Sequence, residues 1–292
     1  MSGEPNSTRH TNDTAGAHRI AAAFAHAGAN GRAALIPYVV AGYPDAETSF
    51  AVACAAIDNG ADLLEVGLPY SDPLADGATL QRASQGALAA GATFERSLAL
   101  AGRIAAARPS VPVVAMGYAN QIIGGGDGRD RALALARAGI AGVIVADLTP
   151  DEGAPFEAVA AEAGIAVVYL VAPTSSQARR AAVAARSGGF LYCVSLVGVT
   201  GARTELPPTV AALVRDVTAV SPVPVAVGFG VSSAAQVRAI AGAGAAGVIV
   251  ASALTRVEAG KICSFREKRM PLRGSLELVK RMPAWSGNCS AV

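Results

Sequence analysis

The chain has 292 residues, of which 52% are hydrophobic and 16% are charged, and its formal net charge is +2. This composition excludes a disordered protein, because a chain of this length and hydrophobicity can bury a full core as one large α/β domain or two smaller ones. The longest apolar runs, such as residues 165–172, have strand length and fall short of the roughly 18 residues that suggest a transmembrane helix.

The first segment, residues 1–17, is predicted to be a disordered tail. It is rich in Ser, Thr, Asn and Gly and lacks the apolar core of a signal peptide. The expected location is therefore the cytoplasm. The cysteines lie far apart without C-x-x-C pairing, which argues against a disulfide framework or a zinc site. They are Cys54, Cys193, Cys263 and Cys289.

Short runs rich in Val, Ile and Leu alternate along the rest of the chain with Ala-rich segments of helical period. Strands are predicted at residues 35–41, 62–68, 112–117, 142–147, 165–171, 189–194, 223–228 and 247–251. Helices are predicted at residues 47–59, 93–107, 129–138, 155–163, 176–187, 209–217 and 234–243. The alternation predicts an α/β fold, a single-domain (β/α)8 TIM barrel over residues 18–256 with an extra N-terminal helix.

The last segment, residues 257–292, differs from the barrel in composition. Residues 259–292 contain all three lysines of the chain, and seven Lys or Arg against two Glu. Several glycines and prolines interrupt any long amphipathic helix here, so no eighth barrel helix is clearly predicted. We expect an atypical basic tail that is partly disordered. A nucleic-acid or membrane patch is disfavoured, because the segment has little apolar periodicity.

The body of the barrel, from the first predicted strand to the last one, residues 35–251, contains neither His nor Lys. All three histidines precede the first predicted strand and all three lysines follow the last one. Unless the tails fold back into a site, this removes a His general base, His-ligated metals and a Schiff-base lysine from the body. Acid/base chemistry must therefore fall to carboxylates or tyrosines.

Residues 65–77, EVGLPYSDPLADG, place carboxylates at the end of the second predicted strand and on the turn after it. Glu65 ends the strand and Asp76 lies on the loop. Two carboxyl groups in different environments can divide acid and base work between them. The alternative interpretation is that Asp72 and Asp76 only form turns and that Glu65 is a rim charge.

Ligand sites in such barrels lie at the carboxyl ends of the strands. The candidate residues at these ends are Tyr38, Glu65, Tyr118, Asn120, Asp147, Tyr192, Gly228 to Gly230, Ala251 and Ser252. The glycine-bearing residues 227–233, together with residues 251–252, offer the flexible backbone amides and the serine N-cap of a phosphate-binding site. A second loop, residues 197–202, would close over a ligand with Gly198 and Gly201 as hinges, or is an ordinary connection.

Five segments together strongly resemble the tryptophan synthase alpha subunit. They are PYVVAGYP at 37–44, residues 65–77, MGYAN at 116–120, VTG at 199–201 and GFGVS at 228–232. The match covers residues 18–256 in order. The resemblance implies a (β/α)8 barrel and a lyase that cleaves indole-3-glycerol phosphate into indole and glyceraldehyde 3-phosphate. It also implies an α2β2 heterotetramer with a beta subunit that carries pyridoxal phosphate, and no cofactor in this chain.

The resemblance also implies roles for individual residues. Glu65 would be the catalytic acid/base, and Asp76 would hold the indole N–H. The candidate substrate-binding residues are Tyr38, Tyr118, Asp147, Tyr192, Thr200 and Gly201. The candidate phosphate-binding residues are Gly201, Phe229, Gly230, Ala251 and Ser252.

Two departures from the family pattern leave alternatives open. Ala251 stands where the family usually has glycine, and its methyl group would crowd a phosphate-binding amide. The basic tail stands where the family has an ordered helix. One alternative is therefore a catalytically impaired barrel that acts as an allosteric partner of the beta subunit. Another is a different phosphate-binding barrel enzyme, disfavoured because such enzymes usually employ His, Lys or metal ligands.

Overall fold

The computed structural model describes residues 13–194, 208–228, 231, 234–252 and 254–255. The strands are β1 Ala34–Val40, β2 Leu64–Gly67, β3 Val113–Gly117, β4 Gly142–Val145, β5 Ala166–Val168, β6 Leu170–Val171, β7 Leu191–Val194, β8 Val225–Gly228 and β9 Gly247–Val250. The helices are α1 Ala15–Ala29, α2 Ala46–Asp58, α3 Ala78–Ala89, α4 Phe94–Ala107, α5 Ala119–Ile122, α6 Arg129–Arg137, α7 Pro150–Glu162, α8 Gln177–Arg186, α9 Pro208–Val220 and α10 Ala234–Gly242.

The strands form one parallel sheet in the order β5-β4-β3-β2-β1-β9-β8-β7-β6. β5 and β6 are the two halves of the fifth predicted strand, and only Tyr169 separates them. β5 pairs with β4 and β6 pairs with β7, so this divided strand brings the two edges of the sheet together. The predicted (β/α)8 barrel is confirmed, with each of the eight predicted strands in place.

Side chains alternate between the inside of the barrel and the layer under the helices, as the pleat of a strand requires. Along β1, Ile36 and Tyr38 belong to the interior cluster, whereas Val39 belongs to the outer cluster. The interior cluster comprises Ala17, Ile20, Phe24, Ala27, Ala34, Ile36, Tyr38, Val40, Leu63, Leu80, Ala83, Ala87, Val114, Met116, Ala141, Ile144, Ala166, Val168, Phe190, Tyr192, Ala226 and Ile249. Leu63 precedes Glu65 by two positions, so Glu65 also faces the interior.

Helix α1 packs against the ends of the barrel strands. Its side chains Ile20 and Phe24 belong to the interior cluster, and the Phe24 ring lies 5.5 Å from that of Phe190. The N–H of Gly16 donates a hydrogen bond to the carbonyl of Gly164, at 2.9 Å. The helix begins at Ala15, so residues 15–17, which the sequence assigned to the tail, are helical.

The absence of a side chain at Gly16 is expected to be required for α1 to pack against the barrel. An added Cβ at Gly16 would lie 1.8 Å from the carbonyl oxygen of Ala141, a backbone atom. We expect Gly16→Ala to lower the free energy of unfolding by about 2 kcal/mol, through overpacking. Gly28→Ala in the same helix is the control, since an added Cβ there has no described atom within 4 Å. Urea denaturation of both variants is the measurement, and equal stabilities would show that α1 is not seated in this way.

The structure differs from the prediction mainly in which helices form and where they begin. Helix α3 was not predicted, and α7 begins at Pro150, with Pro155 inside it rather than at its start. Ser252, Leu254 and Thr255 are helical, and the Thr255 N–H donates to the Ala251 carbonyl, so the chain turns helically after β9.

The predicted basic tail, residues 257–292, lies outside the described residues. Within the described part of the chain, every helix is too short or too polar to span a membrane.

Candidate active site

Glu65 lies in β2, next to Tyr38 of β1 and Val114 of β3 in the sheet register. Its side chain is inside the barrel, and the residue is only 1% exposed. Among the described residues, neither of its carboxyl oxygens has a hydrogen-bond partner. Burial, and then the nearby charge of Asp76, raise the pKa of Glu65 to about 8. Glu65 is therefore a carboxylic acid at neutral pH and has a proton to donate.

Asp76 lies on the loop between β2 and α3 and is partly buried. Its N–H donates to the Pro73 carbonyl at 3.0 Å, and its own carbonyl accepts from the Gln81 side chain at 2.9 Å. Burial raises the pKa of Asp76 to about 6, so this group is ionised at neutral pH. The two carboxyl groups are thus electrostatically coupled but differ in protonation state.

Tyr38 and Tyr192 lie inside the barrel, and both rings belong to the interior cluster. Each hydroxyl lies against a glycine of the neighbouring strand, in a space that any larger residue would fill. An added Cβ at Gly67 would lie 1.9 Å from the Tyr38 hydroxyl, and one at Gly228 would lie 2.2 Å from the Tyr192 hydroxyl. Burial and the charges of Glu65 and Asp76 raise the pKa of both tyrosines well above its usual value. Two neutral phenols therefore share the interior with the two carboxyl groups.

The turn from β3 into α5 contacts the loop that carries Asp76. The Tyr118 hydroxyl accepts a hydrogen bond from the Ala75 N–H at 2.9 Å, and the Gln121 side chain donates to the Pro69 carbonyl at 2.7 Å. Asp147 supports this turn from β4 by accepting from the Ala119 N–H at 2.7 Å. Tyr118 and Asp147, which the sequence predicted as substrate contacts, therefore also bind backbone groups of the protein.

Gln81 and Gln121 are residues that the sequence did not indicate. Both donate to backbone carbonyls, which lie 5 and 52 positions away in the chain. No residue pattern marks such a contact. Only the fold reveals it, because any residue supplies a carbonyl.

The predicted phosphate-binding residues are only partly described. Ala251 and Ser252 follow β9 directly and are partly buried, and Ala251 packs against the interior cluster. Gly228 ends the neighbouring strand β8, which pairs with β9. Four predicted ligands, Thr200, Gly201, Phe229 and Gly230, lie outside the described residues. Within the described part of the chain, no group of three or more His, Cys, Asp or Glu is arranged to hold a metal ion.

The buried Glu65 is expected to make the stability of the protein depend on pH. Its pKa is 4.5 ordinarily and about 8 in the folded protein, so the folded state holds this proton more tightly. The free energy of unfolding should therefore be highest below about pH 4.5 as far as Glu65 is concerned, and fall by a few kcal/mol as the pH rises towards about 8. Glu65→Gln should lack this fall. Urea denaturation at about pH 5 and about pH 8.5 measures it, and parallel pH profiles for the two proteins would contradict the raised pKa.

Fold and site together define a class of protein. A TIM barrel whose interior holds a buried carboxylic acid on a strand, with an ionised carboxylate on the loop that follows, has the groups expected of an acid/base enzyme of the barrel class.

Comparison with known proteins identifies the family. The family described as tryptophan synthase alpha chain matches residues 24–277. The tryptophan synthase alpha chain of Roseiflexus castenholzii is 46% identical, over 82% of this chain and 91% of the relative. Tryptophan synthase of Mycobacterium tuberculosis has 40% identity and a TM-score of 0.76, over 89% of this chain and 97% of the other. The chain belongs to the tryptophan synthase alpha chain family, a family of lyases that cleave indole-3-glycerol phosphate in tryptophan biosynthesis.

Proposed function

We propose that this chain cleaves indole-3-glycerol phosphate into indole and glyceraldehyde 3-phosphate, with Glu65 as the acid/base and Asp76 as the electrostatic partner. The observation that carries the proposal is the pair itself. The pKa of Glu65 is raised to about 8 and that of Asp76 to about 6, so one group is protonated and the other ionised at neutral pH. Environments that separate two such pKa values assign the acid and the base.

Cleavage begins with proton transfer to the indole ring. The Glu65 carboxyl donates its proton to C3 of the indole, and the ring nitrogen gains positive charge. This turns the ring into an electron sink for the bond that breaks next. Because Glu65 is 1% exposed, water competes poorly for the proton. A buried carboxyl without hydrogen bonds is suited to the step, because nothing in the described residues holds its proton in place.

The charge on the indole nitrogen requires a fixed counter-charge. The Asp76 carboxylate supplies it and accepts the hydrogen bond of the indole N–H. Glu65, now ionised, then removes the proton from the glycerol hydroxyl next to the indole. The C–C bond breaks, its electrons return to the ring, the hydroxyl carbon becomes the aldehyde, and Glu65 is protonated again. Protons and electrons balance without an added reactant.

The remaining residues would bind the substrate. Tyr38 and Tyr192 line the barrel interior, and Ala251 and Ser252 directly follow β9, where the phosphate would bind. Outside the described residues, Gly201, Phe229 and Gly230 would also bind the phosphate, and Thr200 and Gly201 would bind the rest of the substrate. Tyr118 and Asp147 would face the substrate from the ends of the third and fourth strands, respectively. The Ala251 methyl group is expected to weaken phosphate binding and to leave the carboxyl groups unaffected.

A beta chain is the proposed partner. One matching solved structure, with 35% identity and a TM-score of 0.75, concerns mutual activation of the tryptophan synthase α2β2 complex of Pyrococcus furiosus. We propose the same heterotetramer here, in the cytoplasm, with pyridoxal phosphate in the beta chain and no cofactor in this one.

The direct test is release of indole and glyceraldehyde 3-phosphate from indole-3-glycerol phosphate by the purified full chain, with and without a beta chain. Equal amounts of both products support the proposal. No product under either condition, together with activation of the beta chain, would instead establish the impaired, allosteric barrel. Turnover of another phosphorylated substrate alone would establish a different barrel enzyme.

A further inference from the structure

Two hydrogen bonds to other elements fix the backbone around Asp76, one at the residue before it and one at its own carbonyl. On one side the N–H of Ala75 donates to the Tyr118 hydroxyl at 2.9 Å. On the other side the carbonyl of Asp76 accepts from the Gln81 side chain at 2.9 Å. The first contact comes from the end of β3 and the second from α3, so two different elements fix the backbone that carries the carboxylate.

Tyr118 itself has little freedom. Its ring stacks on the ring of Tyr70, which belongs to the loop that carries Asp76. The ring centroids lie 4.8 Å apart and the ring planes differ by 22°. It is 5% exposed, and the turn that follows it is fixed by Asp147 and Gln121. A buried, stacked ring of this kind gives its hydroxyl a defined position. The Ala75 N–H therefore has a rigid acceptor rather than a flexible one.

We propose that Tyr118 and Gln81 are positioning residues for the reaction, which act by fixing the Asp76 carboxylate where the indole N–H will lie. The inference rests on the role proposed for Asp76. A shift of about 1 Å in a catalytic group costs up to about 10²-fold in rate. A loop carboxylate therefore needs such supports, whereas Glu65 has the strand to hold it.

The Tyr118 hydroxyl is tested by Tyr118→Phe, which keeps the stacked ring and removes the acceptor of the Ala75 N–H. We expect kcat/KM for indole release to fall about tenfold. Gln81→Met, which removes the donor to the Asp76 carbonyl, should act in the same direction. Tyr70→Phe is the matched control, because it removes a hydroxyl from the other ring of the same stack, and its kcat/KM should stay within about twofold of the unsubstituted chain.

A double-mutant cycle distinguishes positioning from direct substrate contact. If Tyr118 acts through Asp76, Tyr118→Phe should have almost no effect, within about twofold, in a chain that already carries Asp76→Asn. A full tenfold loss in that background would overturn the inference while leaving the proposed function intact. An unchanged kcat/KM in Tyr118→Phe alone would also overturn it.

A second readout does not require activity. A loosened loop admits water to Asp76, so its pKa should fall from about 6 towards the ordinary value in Tyr118→Phe. The titratable groups that face Asp76 are Glu65, Tyr38, Tyr118 and Tyr192. Carbon-13 NMR titration of the Asp76 carboxyl, assigned with Asp76→Asn, measures the change. An unchanged pKa would count against the inference even if the purified chain proved inactive on indole-3-glycerol phosphate.

Discussion

Glu65→Gln is expected to remove nearly all release of indole, with kcat lower by about 10²-fold to 10⁴-fold. The amide has nearly the shape of the carboxyl group but can neither donate the proton to indole C3 nor remove the hydroxyl proton afterwards. Both proton transfers are lost together, so the loss should appear in kcat, with little change in KM. Steady-state kinetics of indole release measure it.

The control for this substitution is Glu95→Gln on helix α4. Glu95 is exposed and pairs with Arg131 on the surface, so the same chemical change there should leave kcat unaffected. Unfolding measurements at about pH 7 would show that Glu65→Gln is folded, since the fold is expected to gain stability from losing a buried ionisable group. Retention of more than about a tenth of the activity in a folded Glu65→Gln protein would refute the assignment of Glu65.

Asp76→Asn is expected to have the second largest effect, with kcat lower by about 10²-fold to 10³-fold. The neutral amide still reaches the indole N–H but does not compensate the positive charge that appears on the ring. Because the charge forms in the transition state, kcat should fall more than the affinity for the substrate. Indole release by the chain alone, without a beta chain, is the measurement.

The same loop provides a matched control in Asp72→Asn. Asp72 is exposed and its carboxylate accepts a hydrogen bond from Ser71 at 2.6 Å, away from the interior. Its loss should leave indole release by the chain alone unchanged. Similar losses for Asp72→Asn and Asp76→Asn would mean that the loop matters as a whole and that Asp76 has no electrostatic role of its own.

Much of the fold was predictable, because its signals are local. Apolar runs at regular spacing marked each of the eight strands, and glycines ended many of the helices. The sequence also placed Glu65 at the second strand, but its inward direction is visible only in the structure, because both faces of residues 62–68 carry apolar side chains. The raised pKa of Glu65 follows from that burial.

The rest depended on contacts between distant residues. Helix α3 was missed because its sequence, ATLQRASQGALA, mixes Gly, Ser and Thr with few large apolar residues. Helix α7 was predicted to start at Pro155, but Pro150 occupies the first helical position, where proline is favoured. The contact between Tyr118 and Ala75 spans 43 positions and ends on a backbone N–H. Its acceptor is visible only when the strand end and the loop are placed next to each other.

Among the described residues the carboxyl oxygens of Glu65 have no hydrogen-bond partner, and this also sets a limit on engineering this barrel. A buried carboxyl group without a hydrogen-bond partner is unfavourable for folding, so stability alone favours an apolar residue at position 65. A redesign guided by thermal stability alone would therefore replace Glu65 among its first changes, and would remove the proposed acid/base from a more stable protein. The side chain that the fold by itself disfavours is the one that the proposed reaction requires, so stability and activity place opposite demands on position 65.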